Sequence, residues 1–177
     1  MAVGLSTSQR TYLGMIQQVR AQWIHWSYID PSWVLTFMKI ESGYQPLVWN
    51  GAGRQDGLMQ VIPSTAVAMA AKYNIPATPQ TDPMVSIVSG MAYIDTSARA
   101  IIASRGTASL DLWDLAQAYN EGYGAVEAGR LDIAYLTKYQ AALPIIEAQM
   151  AATATTANLA AAKLPLASAI RVVTPIV

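Results

Sequence analysis

Glu41 is the residue whose setting first suggests chemistry. It lies between Ile40 and Ser42, at the end of an apolar run that includes Val34, Phe37 and Ile40, and directly before a glycine-containing loop. If that run is a helix, its negative dipole end falls on the carboxylate and its apolar neighbours strip the group of water. Both effects favour the neutral form. A carboxyl that keeps its proton near neutrality is what a general acid for glycosidic cleavage needs. The plainer alternative is a solvated glutamate at a helix end, and position alone favours that reading.

Rival chemistries are few. The 177 residues contain no cysteine, which removes thiol nucleophiles, zinc fingers, iron–sulfur ligation and disulfides. His25 is the only histidine, so a Ser-His-Asp triad would rest wholly on it and a multi-histidine metal site is excluded. Its place between Trp23 and Trp26 reads as a packed or surface histidine. The acidic residues lack calcium-loop spacing, so no metal is expected. Eleven basic and eleven acidic residues balance, which leaves no electrostatic footprint for nucleic acid. Carboxylates, hydroxyls, amides and tyrosines remain.

The elements that must position these groups read as helices. Ser6 and Gln9 have capping-box spacing, and Tyr12, Ile16, Val19 and Trp23 recur on one face after them. Asp30-Pro31 opens a helix through Ile40, Pro63-Ser64 one ending near Asn74, and Asp82-Pro83 a long one from about Met84 to Ser104, closed by Gly106. Asp111 to Tyr119 and Ile133 to Met150 are the last two, the latter with Pro144 as a kink site. Gly43 to Gln60 is glycine-rich and should be irregular or hold only short strands. The predicted fold is all-α with a minor β or irregular element, six to eight helices around a substrate groove. An N-terminal helix over 1–29 packs on a domain over 30–150, and an Ala/Thr-rich apolar tail follows over 151–177. The Ala148–Ala162 stretch is too short and too weakly apolar to span a bilayer, and the N-terminus lacks a signal-peptide pattern. A soluble chain with no membrane span is expected.

Separated motifs in a fixed order then change the weight on Glu41. Glu41-Ser42-Gly43-Tyr44-Gln45-Pro46 precedes Gly57-Leu58-Met59-Gln60, Gly90 with Tyr93-Ile94 follows, and Ala118-Tyr119-Asn120-Glu121-Gly122 comes later. Over about residues 30 to 145 the sequence resembles the soluble lytic transglycosylases, which have the lysozyme-like fold shared with goose-type lysozyme. The resemblance implies that Glu41 is the sole catalytic carboxylate and that peptidoglycan is the substrate. Glu41 would protonate the oxygen between N-acetylmuramic acid and N-acetylglucosamine, then act as base while the muramoyl 6-hydroxyl closes a 1,6-anhydro ring. No cofactor is implied. Gly57, Leu58, Met59 and Gln60 would line the groove, with Met59 and Gln60 reaching the sugar. Ser42, Tyr119 and Asn120 would bind substrate, and Tyr135, or Tyr139 one turn later, would touch the glutamate.

Three positions depart from the family pattern. Asn50 stands nine residues after Glu41, where a serine usually bonds the carboxylate; an amide can donate the same bond. The segment before Gly57 is longer by about one residue, and it places Asp56 beside the groove motif. Asp56 is either the partner of Arg54 in a loop contact or a second carboxylate that positions water for goose-type hydrolysis. Glu121 fills a variable slot and reads as a groove-rim charge. Trp49, between Glu41 and Gly57, either packs or stacks on a sugar. Action at the cell wall is expected, with delivery as a virion component or by an export apparatus, whose proteins the tail could contact. A structural or glycan-binding subunit with little turnover is the non-enzymatic alternative.

Overall fold

The computed structural model describes residues 3–50, 55–106 and 110–162, without the side chains of residues 50, 55 and 159–162. Among them are seven α-helices: α1 (Thr7–Gln22), α2 (Pro31–Glu41), α3 (Pro63–Tyr73), α4 (Pro83–Arg105), α5 (Leu112–Glu121), α6 (Tyr123–Glu127) and α7 (Ile133–Ala162). A 3-10 turn, Ile24–Trp26, follows α1. The one strand pairing is a two-residue antiparallel ladder, β1 (Trp49–Asn50) on β2 (Gln55–Asp56), with Trp49 opposite Asp56. The predicted all-α architecture with a minor β element is the one observed, and the irregular Gly43–Gln60 stretch carries that ladder.

Local chemistry sets the helix starts. Ser6 and Gln9 form the reciprocal capping box of α1. Asp30 caps Ser32 N–H ahead of Pro31, and Asp82 caps Met84 and Val85 N–H ahead of Pro83. Gly106 closes α4 in the left-handed conformation, as its position predicts. The short α6 and the 3-10 turn have no counterpart in the sequence pattern, because such short turns leave no periodic signal.

α2 is buried nearly all round. Val34, Leu35, Phe37 and Met38 are fully inaccessible, and the helix packs against α1, α4 and α7. α4 supplies the opposing wall through Ile87, Met91, Ile94 and Ile101. Glu41 therefore ends a helix fixed on several sides by the core. α7 does not stop near Met150: it continues unbroken to Ala162, with Pro144 inside it. The extension is anchored where Leu5 N–H donates to Thr153 Oγ1 at 2.8 Å. Residues 163–177 of the predicted tail lie outside the described residues. Among the described residues no helix is long and apolar enough to cross a membrane.

Candidate active site

The chain turns sharply after Glu41. Ser42 caps α2, its N–H and its hydroxyl both bonding the Met38 carbonyl at 3.1 Å. Gly43 and then Tyr44 take positive φ angles, 59° and 69°. A tyrosine in that region is strained, so its surroundings must hold it. α1 does so: Gln9 Nε2 donates to the Tyr44 hydroxyl at 3.0 Å, and the Tyr12 hydroxyl donates to the Tyr44 carbonyl at 3.3 Å. Ser42 is buried, and its hydroxyl donates within its own helix.

Glu41 itself is half-buried, and the Tyr135 hydroxyl donates to its Oε1 at 2.5 Å. Burial raises the Glu41 pKa above the ordinary carboxylate range, against opposing pulls from the Tyr135 bond and the Lys138 charge. The carboxyl is thus biased towards its protonated form while its anion has one preset donor. The choice between two tyrosines is decided: Tyr135 reaches Glu41, whereas Tyr139 lies one turn on, packed against Phe37 at 4.9 Å between ring centroids.

The Gly57–Gln60 segment is clamped from three sides. Gly57 has φ 81°, and a Cβ there would sit 1.9 Å from the Gln80 carbonyl oxygen, so only glycine fits. Met59 N–H donates to Ser86 Oγ at 3.0 Å, and the Met59 carbonyl accepts from the Tyr119 hydroxyl at 2.7 Å. Gln60 Nε2 donates to the carbonyls of Val48 and Gly57, at 3.0 and 2.9 Å. Leu58 and Met59 are fully buried, and the Met59 side chain lies where a Cβ on Gly90 would fall, 2.6 Å from its nearest atom. The Met59 side chain thus fills the space that Gly90 leaves in α4. Gln60 does line the groove, but its amide hydrogens hold the loop together.

That groove is a cleft of about 320 Å³ whose lining includes Gln60, Thr65, Tyr93, Tyr119, Asn120 and Glu121. Tyr119 is buried, stacked on Phe37 at 4.2 Å, and its hydroxyl feels the Glu41 charge. It thus links the cleft to the carboxylate. Tyr93 donates to the Ala118 carbonyl at 3.0 Å, tying α4 to the Ala-Tyr-Asn segment. Asn120 is exposed, and its Nδ2 donates to Asp132 Oδ2 at 3.0 Å. Asp132 lies outside the motifs of the sequence. Its signal is the spacing Asp-x-x-Tyr at the start of α7, an N-cap pattern that stands apart from the motifs.

Glu121 is exposed at the rim of the cleft and accepts from Gln117 Nε2 at 3.1 Å. Asp56 is half-buried on β2, opposite Trp49, which stands exposed. The expected contacts of Asn50 with Glu41 and of Arg54 with Asp56 fall outside the described residues. His25 lies on the 3-10 turn, its ring stacked on Tyr73 at 6.2 Å. Among the described residues no group of three or more His, Cys, Asp or Glu side chains is placed to hold a metal ion.

The architecture has solved counterparts. The chain superposes with a TM-score of 0.56 and 21% identity on an inactive mutant of the lytic transglycosylase Slt from Pseudomonas aeruginosa, covering 84% of this chain and 24% of that one. With the 70 kDa soluble lytic transglycosylase from Escherichia coli the TM-score is 0.50 at 23% identity, covering 73% and 22%. A complex of the 70 kDa soluble lytic transglycosylase with bulgecin A gives 0.52 at 23% identity, covering 77% and 21%. The chain thus spans less than a quarter of the length of these structures, and the likeness is one of fold. No curated protein matches it. Residues 18–132, well over half of the chain, match the Transglycosylase SLT domain, and the chain belongs to that family.

Proposed function

We propose that this domain is a peptidoglycan lytic transglycosylase that cleaves the β-1,4 bond from N-acetylmuramic acid to N-acetylglucosamine. The observation that carries the reading is the pairing of Glu41 with Tyr135, a carboxyl driven towards its protonated form by burial yet supplied with a donor for its anion. Family membership and the fold shared with lytic transglycosylases support it.

The chemistry balances on one carboxyl. Glu41 gives its proton to the glycosidic oxygen as the bond to the anomeric carbon breaks, and the bonding electrons leave with that oxygen. The muramoyl acetamido group supports the electron-poor carbon. Glu41, now charged and held by Tyr135, takes the proton of the 6-hydroxyl as O6 bonds to the anomeric carbon. The products are a free 4-hydroxyl and a 1,6-anhydro ring, no water is consumed, and Glu41 ends protonated as it began. A second carboxylate, which water-using glycosidases need, has no task in this scheme.

Mass spectrometry of purified peptidoglycan digested by the wild-type chain and by Glu41→Gln tests the proposal. Products lighter by one water and absent with the variant are expected. Reducing-end products would replace the reading with hydrolysis and make Asp56 the next residue to change. Binding without products would favour a structural subunit. We further infer action at the cell wall as a component of a virion or export apparatus. Its support is the α7 extension beyond Met150, where the exposed Ala151, Ala154 and Ala157 leave room for packing against another subunit. Co-fractionation with assembled particles is the test.

A further inference from the structure

Asp132 belongs to none of the motifs, yet it joins two elements that build the site. Its Oδ1 accepts from the Tyr135 N–H at 3.0 Å, the N-cap bond of α7, and its carbonyl accepts from Leu136 N–H at 3.0 Å. Its Oδ2 accepts from Asn120 Nδ2 at 3.0 Å, and its N–H donates to Gln117 Oε1 at 2.9 Å. Gln117 and Asn120 sit on the last turns of α5, so one residue fastens the end of α5 to the first turn of α7. Tyr135 is on that first turn.

We propose that Asp132 is a positioning residue of the active site, setting the start of α7 so that Tyr135 meets Glu41 and fixing which end of the Asn120 amide faces the cleft. The inference rests on Glu41 as the general acid. A carboxylate only accepts hydrogen bonds, so Asn120 must turn its NH2 to Asp132. The Tyr135 N–H, followed by Asn120, holds the Asp132 carboxyl below the usual carboxylate range, which keeps it an acceptor. The Asn120 carbonyl oxygen is left for the cleft, where it matches an N–H donor such as the acetamido group of an amino sugar. The Tyr135 contact is equally exacting, since a displacement of about 1 Å can cost about 100-fold in rate.

The test reads the Glu41 carboxyl directly, by NMR titration of the full chain as wild type, Asp132→Ala, Asp132→Ser and Tyr135→Phe. The groups acting on Glu41 are Tyr135 and Lys138 from α7, with Tyr119 of α5 facing it. Asp132→Ala frees the start of α7, so the Glu41 midpoint should rise, as it should in Tyr135→Phe, and the double variant should rise no further than Tyr135→Phe alone. Serine still caps α7 but is too short to hold Asn120 as well. Asp132→Ser should therefore keep the wild-type midpoint and raise KM on peptidoglycan severalfold. A midpoint unmoved in Asp132→Ala, with only a lower melting temperature, overturns the proposal and reduces Asp132 to a helix cap. An unchanged KM in Asp132→Ser overturns the role assigned at Asn120. The titration needs no substrate, so an inactive wild type would sink the transglycosylase reading while the positioning claim is still decided.

Discussion

Tyr135 and Glu41 are 94 residues apart in sequence, and their side-chain oxygens are 2.5 Å apart. The bond works against burial. Burial pushes the Glu41 proton affinity up, which suits an acid, while the phenol steadies the anion, which suits the base that the proposed reaction makes of the same group. A deeper site without the tyrosine would make an acid slow to let go of its proton.

Replacing Tyr135 by Phe removes a bond to a charged group, worth about 1.5–3 kcal/mol, so turnover should fall roughly 10- to 100-fold. The sign of the pH effect follows from the same bond. Tyr135 favours the charged form, so losing it raises the Glu41 pKa, and the alkaline limb of the kcat/KM profile should move to higher pH. Steady-state rates across pH would show this, and a limb moving to lower pH would contradict it.

Glu41→Gln should abolish turnover and stabilise the fold. The folded pKa of Glu41 lies above its unfolded value of about 4.5, so the folded state binds more protons and stability falls as pH rises through that interval. Glutamine escapes the penalty while offering Tyr135 the same acceptor. At pH 8 the variant should melt at a higher temperature than the wild type, with the difference vanishing near pH 4. Calorimetry at both pH values is the check.

Gly57→Ala should cost about 3 kcal/mol or more. A side chain at φ 81° is strained by about 1–2 kcal/mol, and its Cβ would collide with the Gln80 backbone. Urea denaturation should show a large loss, accompanied by reduced activity because Gln60 follows in the same turn.

Asp95, on α4 directly after Tyr93-Ile94, is a buried carboxylate that accepts from the Tyr28 and Tyr73 hydroxyls at 2.7 and 2.6 Å and from Arg99 Nε at 2.8 Å. Burial raises its pKa, but the bonds from Arg99, Tyr73 and Tyr28 outweigh burial and hold it below the usual range. Arg99 is half exposed, so Asp95→Asn should cost only about 1–3 kcal/mol at neutral pH. Because the folded pKa is depressed, that stabilisation is present above the unfolded value of about 3.8 and is lost as pH falls through the folded one. Melting curves of the two proteins should converge in acid.

Trp49 is 69% exposed, too open to contribute much to the core. Trp49→Ala should leave the melting temperature within about 2 °C and, if the indole stacks on a sugar, raise KM about three- to tenfold. Calorimetry beside substrate titration separates the two effects, and an unchanged KM would remove Trp49 from the substrate path.

The sequence by itself determined the helix starts and the glycine that closes α4, and it singled out Glu41 as the candidate acid. Caps at Ser6, Asp30 and Asp82 act over two or three residues, and the left-handed conformation at Gly106 is a property of one residue, so local reading suffices. Only the tertiary structure decided between Tyr135 and Tyr139, because which of them meets Glu41 depends on how α7 lies against α2. It also turned Met59 inward, since the space beside Gly90 exists only when α4 packs on the motif loop. Residues 151–162 read as an undecided Ala/Thr tract, and they extend α7 where Thr153 meets Leu5. Asp132 shows the division most sharply. Its capping spacing was local and legible, but its bond to Asn120 exists only because the ends of α5 and α7 converge.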